Sequence, residues 1–154
     1  MTVPFFDGHN DFLLRLMKSP APREETWLGP TETGHLDLAR MKEAGFAGGL
    51  FAIFVPPVSS GPPVDFKAFM ANPPYDMPLP PLMDAPTAQP TALTMAGLLH
   101  WMERAAANDF RLCRTVADMR AAMEQDIIAG VMHMEGAEAI GVDLDALYLF
   151  YDMG

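Results

Sequence analysis

Two stretches, residues 48–55 (GGLFAIFV) and 127–134 (IIAGVMHM), are unbroken apolar runs interrupted only by His133. Neither alternates apolar with polar, so each predicts a strand covered on both faces, the habit of strands in a parallel sheet. Residues 3–7 form a third apolar strand candidate that breaks at Asp7-Gly8. Helical patterns lie between the runs. Leu36, Leu38, Met41 and Ala44 share one helical face, with Gly45 where a helix C-cap belongs. Residues 12–18 are a short apolar piece, residues 20–34 a loop rich in proline and glycine, and residues 91–109 a helix capped by Thr91 or Thr94. A further helix is expected over 115–126, with Thr115 and Asp118 as a variant capping box, and a last one after Asp143. Strand, helix, strand in that order means an α/β fold with a parallel sheet.

Residues 56–90 interrupt this order with most of the chain's 15 prolines. Proline removes backbone donors, so no regular element is expected there. The segment reads either as a spacer or as an ordered loop over a site, and Phe66, Phe69, Met70, Tyr75, Met77 and Leu79 favour order.

In parallel α/β folds ligands gather at the carboxyl ends of strands. Two places rich in ligand-type residues fall there. His9 and Asp11 follow the first strand candidate, and side chains two apart in extended chain point to one face, so both can reach a single ion. Glu135 follows the apolar run 127–134. Alone, His-x-Asp is a weak signal, and Glu135 is equally well the first solvated residue after its strand; if buried, it needs a counter-charge or a metal. Gly8 is read as letting the backbone turn closely.

Other candidates have ordinary readings. His133 shares a strand face with Glu135 and is placed to be a third ligand, although that position more often fills the interior below a site. His35 reads as capping or solvating a helix, His100 as a packed or surface residue, and Glu138 as a solvated loop residue or a group supporting Glu135. Cys113, between Arg111 and Arg114, is placed for a lowered pKa. With no partner motif nearby it reads as a structural thiol.

The formal net charge of -10 argues against nucleic acid or an anionic membrane as partner. One cysteine excludes an internal disulfide, no run approaches the ~20 apolar residues of a membrane span, and the start lacks a secretory pattern. A cytoplasmic location is expected.

The stretches FFDGHND, HLDLARMKEAGFAGGLFAIFVP and GVMHMEGAEAIGVDLDALYLFYDMG, in that order, resemble the membrane dipeptidase (renal dipeptidase) family of zinc metallopeptidases. DGHND and MEG are the specific parts, and residues 56–90 contribute nothing. The resemblance implies a TIM-type (β/α)8 barrel with two zinc ions. His9 and Asp11 match the family's ligands to one zinc, and Glu135 matches the carboxylate that bridges both and is also the catalytic position. It implies a dipeptide substrate, cleaved by a metal-bridged hydroxide with the ions ~3.5–4 Å apart.

The family's second zinc also takes histidines from further along the barrel, and a barrel needs roughly 250 residues. The expectation is therefore a single partial barrel domain over 1–154 with a Pro-rich insertion at about 56–90. It would be the N-terminal part of a truncated (β/α)8 barrel with an incomplete second zinc site and little or no dipeptidase activity alone. Competing readings are a non-catalytic half-barrel that binds metal or a partner, and another amidohydrolase-type amide hydrolase. Unpaired strand edges would favour homodimers or association.

Overall fold

The computed structural model describes residues 3–58, 65–75 and 79–154. Four parallel strands, β1 (Phe5–Asn10), β2 (Phe46–Phe54), β3 (Phe110–Leu112) and β4 (Ile128–Glu135), form one sheet in the order β1-β2-β4-β3. The helices are α1 (Phe12–Lys18), α2 (Arg23–Leu28), α3 (Leu38–Ala44), α4 (Phe66–Met70), α5 (Ala85–Ala105), α6 (Val116–Glu124) and α7 (Asp145–Met153). The α/β parallel fold expected from the apolar runs is the fold observed.

Strand β2 is the middle of the site-bearing part of the sheet. It pairs with β1 on one side and along seven consecutive positions with β4 on the other, from Gly48↔Ala129 to Phe54↔Glu135. Phe51, Ile53, Met132 and Met134 belong to the main core, beneath α5. Helix α5 answers with Ala88, Ala92, Met95, Ala96, Leu99 and Met102, buried at helical spacing. Trp27 is fully buried, donates its indole N–H to the Met102 carbonyl, and meets Phe110 edge-on; Phe110 in turn meets Phe51. Helix α6 and the start of β4 make a second, smaller cluster of Cys113, Ala122, Ile127 and Ala129.

Several boundaries differ from the sequence reading. Strand β1 does not break at Asp7-Gly8 but runs on through His9 to Asn10, with a register shift between Asp7 and Asn10. Space around Gly8 is open, so no close approach requires a glycine there. The Pro-rich segment does contain regular structure. Helix α4 lies in it, and α5 starts at Ala85 rather than near Thr91, capped by Asp84, whose carboxylate accepts from the Thr87 amide. Pro86 falls in the first turn, where its missing N–H has no helical partner to lose, and only Pro90 removes an interior bond. Thr91 and Thr94 are inside the helix, and the Thr94 hydroxyl donates to the Pro90 carbonyl. Residues 59–64 and 76–78 of the segment, including Met77, lie outside the described residues.

Helix α2 lies where the proline and glycine pattern predicts a loop, and β3 lies between two expected helices; both are too short to show a period. The expected caps are present at Gly45, in the left-handed region at φ 77°, and at Thr115, which exchanges hydrogen bonds with Asp118. Asp37, not His35, caps α3, and at α7 Leu144 is the N-cap residue while the Asp143 carboxylate accepts from the Asp145 amide.

Candidate metal centre

The carboxyl ends of β1 and β4 deliver His9, Asp11 and Glu135 to one place. His9 Nε2 lies 3.4 Å from Glu135 Oε2 and 3.7 Å from Asp11 Oδ1. One ligand atom from each residue lies within 4.8 Å of the others. Around a tetrahedral ion with bonds of about 2.1 Å, ligand atoms are about 3.4 Å apart, so this donor set of one imidazole and two carboxylates fits a divalent cation. The side chains are 42 %, 59 % and 43 % exposed, so burial does not force them together. Two carboxylates and a histidine held this close are donors that could hold a divalent cation.

Local structure explains the convergence. Asp7 accepts from the His9 amide through Oδ1 and from Asn10 Nδ2 through Oδ2. Asn10 is buried, donates also to the Leu50 carbonyl of β2, and accepts from the Phe12 amide. One asparagine thus ties the end of β1 to its neighbouring strand and to the start of α1, fixing the backbone on either side of Asp11. Sequence reasoning missed Asp7 and Asn10; the signal was in DGHND itself, where one further polar residue precedes the two candidate ligands and another lies between them. On the β4 side, Gly136 follows Glu135 at φ 93°, a conformation that favours glycine. The chain turns away there, leaving Glu135 at the rim.

The remaining candidates separate. His133 is half-buried, and its ring meets that of His9 edge-to-face, with centroids 5.6 Å apart and planes at 85°, but it is not in the ligand cluster. Glu138 is exposed, with its carboxylate folded against Gly136. His35 is exposed beside an open cleft that passes Asp7, His9 and Asp11, and His100 is half-buried on α5. Cys113 is 1 % exposed, and burial, together with Asp118, pushes its thiol up against the opposing pull of Arg111, so the reactive, low-pKa alternative is overturned. Pro80, Pro81 and Met83 face Ala137, Glu138 and Ile140 across a largely apolar cleft, so the end of the Pro-rich segment lies beside the loop that follows Glu135.

The structure is thus a parallel α/β sheet with one imidazole and two carboxylates gathered at its strand ends. The chain belongs to the membrane dipeptidase family, peptidase family M19, whose model matches residues 1–154. Two solved structures resemble it closely. The dipeptidase AC, a metallo peptidase of family M19, is 59 % identical with a TM-score of 0.89, over 100 % of this chain and 43 % of that one. A metallo peptidase from Rhodobacter sphaeroides, solved with a phosphinate mimic of the dipeptide L-Ala-D-Ala, is 58 % identical with a TM-score of 0.91, over 100 % and 44 %. An uncharacterized protein in the PQQ-III 3' region of Acinetobacter calcoaceticus is 36 % identical over 153 residues, 99 % of this chain and 46 % of that protein. The chain therefore spans less than half the length of these relatives. Among the described residues, no helix is long and apolar enough to cross a membrane.

Proposed function

We propose that this chain carries the first part of a zinc-dependent dipeptidase site, in which His9, Asp11 and Glu135 are metal ligands and Glu135 also serves catalysis. The observation that carries the reading is the meeting of His9 Nε2 with Glu135 Oε2 and Asp11 Oδ1 across β2, at separations suited to one ion. Family membership and the relative solved with a dipeptide mimic support a dipeptide substrate.

A bound divalent cation would lower the pKa of a water molecule and polarise the scissile carbonyl. The chain's own part is to orient ligands. His9 offers Nε2, Asp11 one oxygen, and Glu135 one oxygen toward His9 while the second is left for another cation. In this reading the domain is a single partial barrel over 1–154 with the Pro-rich insertion beside the site. We infer little or no dipeptidase activity for residues 1–154 on their own, since a site for two zinc ions would need more ligands than His9, Asp11 and Glu135. Among the described residues, no strand pairs with the outer edge of β1 or with β4 beyond Gly130 on the β3 side, which supports association through these edges.

The test is zinc content after exhaustive dialysis, with size-exclusion chromatography alongside. The wild-type chain should retain zinc, and the double variant His9→Ala, Glu135→Ala should not. Equal retention by the double variant would sink the assignment, and a well-behaved monomer would count against the open-edge picture.

A further inference from the structure

Metal-ligating histidines usually have their second ring nitrogen held by a carboxylate, a carbonyl or water, which fixes the ring. Among the described residues, the His9 ring has contacts through Nε2 with Asp11 and Glu135 and edge-to-face with His133, and no hydrogen bond to its other nitrogen. The geometry points to His133 as a positioning residue: its imidazole, standing at 85° to that of His9, holds the His9 ring with Nε2 turned toward Asp11 and Glu135. The inference rests on the proposed metal site and assigns His133 a role there without making it a ligand.

The sheet makes this contact available. His9 and His133 come from strands that are not neighbours, since β2 runs between them. In the row of His133 the residue contributed by β2 is Ala52. A methyl group at that position leaves room for two rings to meet above the middle strand, where a larger side chain would part them. Edge-to-face pairs of this spacing are favourable for aromatic rings, and the contact needs the shape of a ring rather than its nitrogens.

That distinction sets the experiment. Zinc affinity is measured by competition with a chromophoric chelator for wild type, His133→Ala and His133→Phe, and the order of the His9 ring is measured in the metal-free proteins by carbon relaxation. Unfolding midpoints of all three confirm that each is folded. His133→Ala should bind zinc about 10-fold more weakly, the lower end of what losing a ligand's supporting group costs, while His133→Phe stays within about threefold of wild type. The His9 ring should become mobile in His133→Ala and remain ordered in His133→Phe. Unchanged zinc affinity and ring order in His133→Ala would overturn the inference. So would a His133→Phe as weak as His133→Ala, which would give the nitrogens of His133 the active part. If wild type binds no zinc, the metal reading fails, and the ring-order comparison still decides the role of His133.

Discussion

Asp37 is the most exacting place to perturb this fold. Its side chain is wholly buried at the start of α3 and every oxygen is used. Oδ1 accepts from the Arg40 amide at 2.9 Å as the helix cap. Oδ2 accepts from the Thr31 amide and hydroxyl, both at 3.1 Å, and pairs with Arg40 Nε at 3.2 Å. Asp37→Asn preserves the shape but replaces one acceptor with a donor. The least costly orientation keeps oxygen on the crowded side and turns the new amide toward the Arg40 N–H, donor against donor. Losing the cap costs about 1 kcal/mol, and losing the charge from hydrogen bonds that carry it costs about 1.5–3 kcal/mol more. Because Arg40 is partly exposed, the lower part of that range applies, and about 3 kcal/mol in total is expected. For a chain of this size that lowers Tm by roughly 6–12 °C. The assay is urea unfolding followed by tryptophan fluorescence, to which Trp27, fully buried, and Trp101 both contribute.

The same residue sets a pH dependence. Burial raises the Asp37 carboxyl, but hydrogen bonds from Arg40 and Thr31 and the Arg40 charge outweigh it and hold the pKa below the ordinary aspartate value. A group whose folded pKa is lowered contributes stability above its unfolded pKa, about 3.9, and loses that contribution as pH falls through the folded value. The gap between wild type and Asp37→Asn should therefore be full at pH 7 and narrow below about pH 4. A difference under about 1 kcal/mol at pH 7, or one that stays constant into acid, would refute the account of how Asp37 acts.

Three further outcomes follow from other sites. Asn10→Ala removes bonds to Asp7, Leu50 and Phe12, and should destabilise by about 1–3 kcal/mol and weaken zinc binding about 10-fold, read by denaturation and calorimetry. Gly130→Ala would drive a methyl into the Phe110 ring, which is wedged against Trp27 and Phe51 and has nowhere to go, so a loss of about 1–3 kcal/mol is expected from denaturation curves. Cys113 should react with iodoacetamide at neutral pH far more slowly than a free thiol and match it once urea unfolds the chain, as a raised pKa and burial require.

The strands at the heart of the fold were legible because an apolar run with no alternation has few alternatives, and β2 and β4 lie within two residues of where that argument puts them. The start of α5 was not. Counting prolines says that the backbone lacks donors, but Pro86 occupies a first-turn position where donors are unused, and the signal that mattered was the single Asp84 ahead of it. Helix α2 and β3 are held by what they touch, Trp27 against Met102 and Phe110 against Phe51, and neither contact has a local trace in the sequence. The raised thiol of Cys113 was hidden for the same reason: its neighbours in sequence are arginines, while its burial comes from the fold.

The candidate site shows the same division between local and distant causes. That His9 and Asp11 lie near Glu135 follows from strand ends in a parallel sheet, and this much the sequence carries. What brings Nε2 and Oε2 to 3.4 Å is not the strand ends themselves, because β1 and β4 are two strand spacings apart, about 9–10 Å of backbone separation. The side chains have to lean over β2 from both sides. Glu135 does so from the row it shares with Phe54 of β2, and the end of β1 is fixed by Asn10, which reaches the Leu50 carbonyl 40 residues away. Asn10 is not one of the proposed ligands, and it is not chemically conspicuous. The geometry of a shared site depends on such residues because a site held about one ångström too loosely no longer presents its groups in a productive arrangement.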